Sequence, residues 1–164
     1  SEIATDALKE MRLMVYELRP AALKEEGLVG ALRQRLEMVE GRSGVKTHLV
    51  TEHVAPLPAW VEQELYRIAQ EALNNALKHA RATSIAIQIC TVADEMSIAI
   101  TDDGVGFDVA ERRHAGGLGL MHLEQRAAKI GGRLDIDSAP GEGTRVKVTV
   151  CPERLLDGGN VARP

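Results

Sequence analysis

A carboxylate, an amide and an ammonium recur at helical spacing in Glu71-Ala-Leu-Asn74-Asn75-Ala-Leu-Lys78-His79. At ~100° per residue, Glu71, Asn75 and Lys78 fall within about 60° of one another, on a face that borders the apolar stripe of the same helix. Oxygen ligands beside an ammonium at the edge of a cleft suit Mg²⁺ and phosphate. A solvated polar face accounts for the helix equally well when it is taken alone. Asp102-Asp103-Gly104-Val105-Gly106-Phe107 follows a strand pattern directly. Alternating glycines allow positive φ and let a flat ligand approach the backbone. A carboxylate at a strand end can accept a hydrogen bond from an exocyclic amine such as that of adenine. A surface turn is the plainer reading of the same residues.

Two further stretches are rich in glycine. Gly116-Gly117-Leu118-Gly119-Leu120 leads into a helix, and glycines ahead of a helix N-terminus leave its amides open to an anion. Gly141-Glu142-Gly143-Thr144 precedes a strand. A threonine there could point its hydroxyl into a cleft, although a hairpin turn explains the segment by itself. The two commonest phosphate-binding signatures, G-x-x-x-x-G-K-[ST] and G-x-G-x-x-G after a first strand, do not occur.

The elements that must position these residues can be read from periodicity. Ala4, Leu8, Met11, Val15 and Leu18 repeat at 4-3-4-3, the seam of a coiled coil or helical bundle, which Pro20 ends. Leu28, Leu32, Leu36 and Val39 predict a second helix, with Gly41 to stop it. Residues 45 to 49 alternate as a strand. Ala59 to about Ala80 is the best helix, with Val61, Leu65, Ile68, Ala72 and Ala76 as its buried stripe. Strands are expected at 84 to 92 and 96 to 101, a helix at 120 to 130, and strands around Leu134–Ile136 and Val146–Val150, joined by a turn at Pro140–Gly143. The fold expected is a two-layer α/β sandwich with helices on one face of a mixed sheet, plus an N-terminal helical stub. The divisions are 1–43 (helical remnant and linker helix), 44–151 (the sandwich) and 152–164 (a frayed tail).

Composition narrows the class. The chain has 164 residues, 45% apolar and 27% charged, with a net charge of −4, which suits a globular domain and offers no basic field for nucleic acid or anionic lipid. No apolar run approaches a membrane span. Cys90 and Cys151 have no metal-like spacing and read as reduced cytosolic thiols. Trp60 reads as packing at a helix start, and His48 and His53 as surface residues. The chain begins at Ser1 inside a helical pattern, which reads as the edge of a fragment.

Taken in order, helix E-x-x-x-N-x-x-K, strand-D-x-G-x-G, G-x-G-L-helix and G-T-strand resemble the Bergerat ATP-binding fold of histidine kinases, type II topoisomerases, Hsp90-like chaperones and anti-sigma kinases. Leu18-Arg19-Pro20-Ala21-Ala22-Leu23, Gly27-Leu28 and Ala31-Leu32 resemble the linker of nitrate-sensor-like sensor histidine kinases. Ile68 to Ala80 is similar to that subfamily too, with Glu71 where other histidine kinases carry Asn. The likeness extends to about Val150.

What the resemblance implies is specific. Asn75 would be a Mg²⁺ ligand and Glu71 a second polar group at the metal, able to orient or deprotonate an attacking imidazole. Lys78 and His79 would face the phosphates of ATP. Asp102 would accept from the adenine amine, Gly104 and Gly106 would give backbone room, and Thr144 would support the same end. Gly117, Leu118, Gly119 and Leu120 would bind ATP, with Gly117 and Gly119 as hinges of a polar, mobile lid over the phosphates formed by residues 108 to 116. The implied function is the catalytic domain of a cytoplasmic two-component kinase, homodimeric in its intact form and paired with a response regulator carrying a helix-turn-helix output.

One feature of the family is missing. The phosphate-accepting histidine of such kinases is followed by an acidic residue on the first of two dimerisation helices. None of His48, His53, His79, His114 and His122 precedes Asp or Glu near the N-terminus. Residues 1 to 18 therefore resemble the second dimerisation helix alone, and the acceptor is expected on a dimerisation domain outside this sequence. Two other readings compete: an ATP-binding module read out by a partner, and a serine kinase acting on an anti-sigma antagonist, against which the L-R-P segment argues.

Overall fold

The computed structural model describes residues 3–4 and 20–157. Apart from Ala4, the 4-3-4-3 seam lies outside the described residues. The elements in order are α1 (Ala21–Ser43), β1 (Lys46–Glu52), α2 (Ala59–Lys78), β2 (Ser84–Val92), β3 (Glu95–Asp102), α3 (Val109–His114), α4 (Leu118–Lys129), β4 (Arg133–Ser138), β5 (Thr144–Val150) and α5 (Pro152–Leu156).

The five strands form one mixed sheet in the order β1-β2-β3-β5-β4. β1 runs parallel to β2, and the other neighbours are antiparallel. Period-2 alternation sends Ile85, Ile87 and Ile89 of β2, Ile98 and Ile100 of β3, and Val146, Val148 and Val150 of β5 to one face, where all are buried. α1, α2 and α4 close that face in a single core. The stripe expected on α2 is entirely buried: Val61, Leu65 and Ile68 are at most 1% exposed, and each such burial contributes about 1.5–3 kcal/mol. The opposite sheet face is polar, which gives the two-layer sandwich.

Three expectations need correction. The linker helix starts seven residues earlier than its stripe predicts and ends at Gly44, which takes the left-handed conformation (φ 72°), rather than at Gly41. It breaks at Gly27 (φ 72°, ψ −173°). The amide of Leu28, freed by that break, donates to Glu62 Oε2 of α2 at 2.8 Å. Leu23, Leu28, Ala31, Leu32 and Leu36 all enter the main core, so the boundary drawn at 43/44 does not separate two packing units. Finally, the tail expected from residue 152 opens with α5, whose Pro152 and Leu155 are buried; residues 158–164 lie outside the described residues.

The break at Gly27 yields a test. Its φ and ψ lie in a region open essentially to glycine alone, where another residue costs about 1–3 kcal/mol. Gly27→Ala is expected to lower stability in urea by that amount. A change below about 0.5 kcal/mol, typical of a neutral surface substitution, would contradict the strained joint.

Candidate functional site

The C-terminal half of α2, the inner ends of β3, β4 and β5, and the start of α4 enclose a cleft of about 420 Å³. Glu71, Asn75, Lys78 and His79 reach it from α2, Asp102 and Thr144 from the sheet, Gly106 from the loop after β3, and Gly117 through Leu120 from the start of α4. Ile100, Ile136 and Val146 supply apolar wall. One end of the cleft is therefore apolar with a buried carboxylate, and the other carries cations and helix amides.

Gly104 does not line this cleft. A Cβ there would collide with Ala80, so the glycine lets the loop pack on the end of α2. Its N–H donates to Asp102 Oδ1 at 2.8 Å and so holds the carboxylate in place. Gly106 (φ 63°) passes so close to the Ala139 carbonyl that a side chain has no room. The loop is fixed on both sides by Val105 N–H to Ala80 O at 2.7 Å and Gly141 N–H to Val105 O at 2.6 Å.

The two adjacent aspartates differ in kind. Asp102 is 9% exposed. Desolvation raises its pKa above the ordinary range; the Gly104 N–H opposes this, Asp103 adds to it, and the Thr144 N–H opposes it. Asp103 is exposed and accepts from Thr83 Oγ1 at 2.5 Å, Thr83 N–H at 2.8 Å and Ser84 N–H at 2.9 Å. These bonds, that of the Thr83 hydroxyl foremost, hold its pKa low. Asp103 fastens the start of β2 to the end of β3, whereas Asp102 is kept in the cleft wall against its own solvation.

At the other end, α4 begins at Gly117 with no side-chain cap, so its first amides remain open to an anion. Gly119 brings this end against α2: a Cβ there would lie 3.1 Å from Glu71 Oε1 and 3.6 Å from Asn75 Nδ2. Farther along, Arg126 of α4 bonds Glu64 Oε2 of α2 at 3.0 Å. The lid expected at 108–116 contains α3, which Asp108 caps by accepting from the Glu111 N–H at 2.8 Å.

Sequence reasoning passed over two residues here. Arg112 lies over the Phe107 ring, 4.5 Å from its centroid, and lines the cleft. Ser138 joins the loops at the buried-carboxylate end. An arginine in a polar lid and a serine before a turn carry no periodic signal. Trp60, expected to pack, is 45% exposed and lies roughly 22 Å along α2 from Asn75 at 1.5 Å per residue, so it is no reporter for the cleft.

A two-layer sandwich with a half-apolar cleft, a buried acceptor carboxylate and an open helix N-terminus suits a nucleotide-binding domain. Residues 60–154 match the family described as Histidine kinase-, DNA gyrase B-, and HSP90-like ATPase. Over 161 residues the chain is 39% identical to an "Uncharacterized sensor-like histidine kinase" of Chloroflexus aurantiacus, covering 92% of this chain and 26% of that protein. It is 30% identical to the "Signal transduction histidine-protein kinase/phosphatase DegS" of Brevibacillus brevis, covering 91% of this chain and 39% of that one. The histidine kinase domain of the Erythrobacter litoralis EL346 blue-light activated histidine kinase shares the fold, with a TM-score of 0.62, 21% identity, and coverage of 77% of this chain and 64% of that one. The chain belongs to the histidine kinase-, DNA gyrase B- and HSP90-like ATPase family, and the two sensor-kinase relatives match it over nearly its whole length. It spans well under half the length of these two relatives.

The paired aspartates predict opposite pH signatures. A carboxylate whose pKa is raised in the folded state favours folding at acid pH and loses that contribution as pH rises through its folded pKa; a lowered one behaves in reverse. Asp102→Asn is thus expected to be at least as stable as the parent above the ordinary aspartate range and to lose ground below it. Asp103→Asn is expected to be less stable at neutral pH, with the difference closing on acidification. Urea midpoints across pH check both, and parallel curves for the two variants would contradict the assignment.

Proposed function

We propose that this domain binds ATP with Mg²⁺ in the cleft and passes the γ-phosphoryl group to a histidine on a dimerisation domain of the same protein, outside this sequence. The observation that carries the reading is the convergence of Asp102, Asn75 and the open N-terminus of α4 on one cleft. Adenine sits at the apolar end, where the Asp102 carboxylate, oriented by the Gly104 N–H, offers a lone pair to the exocyclic amine. Gly106 and Thr144 flank the base, and Ile100, Ile136 and Val146 cover its faces.

The groups present fit a magnesium nucleotide. Mg²⁺ keeps several waters and takes few protein ligands beside phosphate oxygens. Asn75, with Glu71 next to it, supplies that number, and the ion would contribute charge neutralisation on the phosphates. Lys78 and Arg112 bring further cations to the same end, His79 adds an imidazole, and the α4 amides of Leu118, Gly119 and Leu120 add partial positive charge. An imidazole nitrogen of the acceptor attacks the γ-phosphorus, the bond to the β–γ bridging oxygen breaks, ADP leaves, and the imidazole N–H proton passes to a base, for which Glu71 is the candidate. Little covalent work falls to the protein, so positioning and electrostatics suffice and the acceptor can arrive from another domain.

In this reading the intact protein is a homodimer that relays the phosphoryl group to a response regulator with a helix-turn-helix output. Among the described residues no helix is long and apolar enough to cross a membrane, and the domain is assigned to the cytoplasm, with any anchor lying elsewhere in the intact protein.

Asn75→Ala is expected to abolish the Mg²⁺-dependent part of ATP affinity in calorimetric titrations with and without the metal; a folded variant with unchanged Mg-ATP affinity refutes the ligand role. Supplied with a separate histidine-bearing dimerisation domain, the chain is expected to label it from γ-³²P-ATP. Tight Mg-ATP binding with no label transferred would favour an ATP-sensing module instead.

A further inference from the structure

Ser138 lies at the end of β4 and stands behind the base end of the cleft, with Thr144 between it and the ligand space. Its hydroxyl makes three contacts of 2.9 Å: it accepts from the Phe107 N–H, it donates to the Gly143 carbonyl, and it meets Thr144 Oγ1. A serine hydroxyl has one proton and two lone pairs. The carbonyl of Gly143 has nothing to give, so the Ser138 proton goes there. The Phe107 N–H takes one lone pair. The remaining lone pair faces Thr144, so the bond between the two hydroxyls must be donated by Thr144.

That count has a consequence on the cleft side. The Thr144 proton points away from the ligand, and its oxygen presents lone pairs only. Asp102, paired with Thr144 in the β3–β5 register, is an acceptor as well. Both polar side chains at this end of the cleft therefore ask the ligand for donors. We propose that Ser138 is a positioning residue that sets the direction of the Thr144 hydroxyl and thereby makes this end of the cleft select a 6-amino over a 6-oxo purine. This deepens the ATP-binding reading and rests on it.

In the pose that places position 6 near Asp102 and Thr144, the adenine amine meets two acceptors, whereas a carbonyl oxygen there meets two lone-pair-bearing groups. Leaving such buried acceptors unpaired is strongly penalised. Without Ser138, Thr144 is free to rotate and donate toward the cleft, which would relieve the clash with a 6-oxo group.

The experiment compares ATP and inosine triphosphate, each with Mg²⁺, by calorimetry on this chain. Wild type is expected to prefer ATP by at least about tenfold, the scale of one missing hydrogen bond. Ser138→Ala is expected to cut that preference several-fold, chiefly by improving relative binding of inosine triphosphate. Ser138→Thr keeps a hydroxyl and is expected to restore the preference. In a Thr144→Val background, Ser138→Ala is expected to change the ratio no further. The proposal is overturned if Ser138→Ala weakens both nucleotides equally, which marks a merely structural tie, or leaves the ratio unchanged, or acts additively with Thr144→Val. Should Ser138→Ala not fold, the ratios of Ser138→Thr and Thr144→Val decide: a preference lost in the first or kept in the second overturns it. A wild-type chain that binds neither nucleotide refutes the ATP reading itself, a result distinct from any of these.

Discussion

A carboxylate held out of water at the end of β3 organises the site. Asp102 is buried against the preference of its own charge, and only two backbone amides, from Gly104 and Thr144, offset that cost. Those amides are in place because glycines allow three backbone segments to approach more closely than any side chain permits: Gly104 on Ala80, Gly106 on Ala139, and Gly143 on Asp102 itself. The glycines thus build the wall in which an unneutralised acceptor survives. A buried charge held by two amides and no cation is a poor stability device. Its neighbour Asp103, fully paired and exposed, does the stabilising work at the same strand end.

The remainder of the site depends on how α4 meets α2. The Arg126–Glu64 bond ties the later turns of α4 to the middle of α2, while the small profile of Gly119 lets the first turn reach Glu71 and Asn75. The start of α4 is uncapped, so its amides stay available at the place where Glu71 and Asn75 converge. The lid helix α3 rests on this arrangement through Arg113 to Glu124 at 2.8 Å and through Arg112 on Phe107. Both contacts lie toward the surface, so α3 is the most lightly anchored wall of the cleft.

Much of this was legible in the sequence because it obeys a period or a spacing. The stripe on α2, the isoleucines of β2 and β3, and the valines of β5 follow from patterns of 3.6 and 2, and the sheet closes where those patterns say it should. Glu71, Asn75 and Asp102 stood out through their spacing and through the order of the motifs that carry them, and the fold brings all three to one cleft. Features that depend on a single bond between distant segments were not legible. The cap that Glu62 places on Leu28, 34 residues away, gives no local signal, and neither does the triple contact of Ser138. Gly104 looked like ligand-facing backbone because sequence shows that a side chain is missing, not what fills its place. The extent of α1 was underestimated because its apolar stripe starts only at Leu28, whereas the chain before the break at Gly27 is helical too.

The central claim is that one cleft, closed by Asp102, Asn75 and the start of α4, is where a magnesium nucleotide goes. Amide-resolved NMR during a Mg-ATP titration tests it most directly. The account predicts saturable shifts at Gly104, Gly106, Leu118, Gly119 and Thr144, with Gln88 and Ser97 on the open sheet face unmoved. Shifts concentrated on that open face, or none at all at saturating nucleotide, would contradict it.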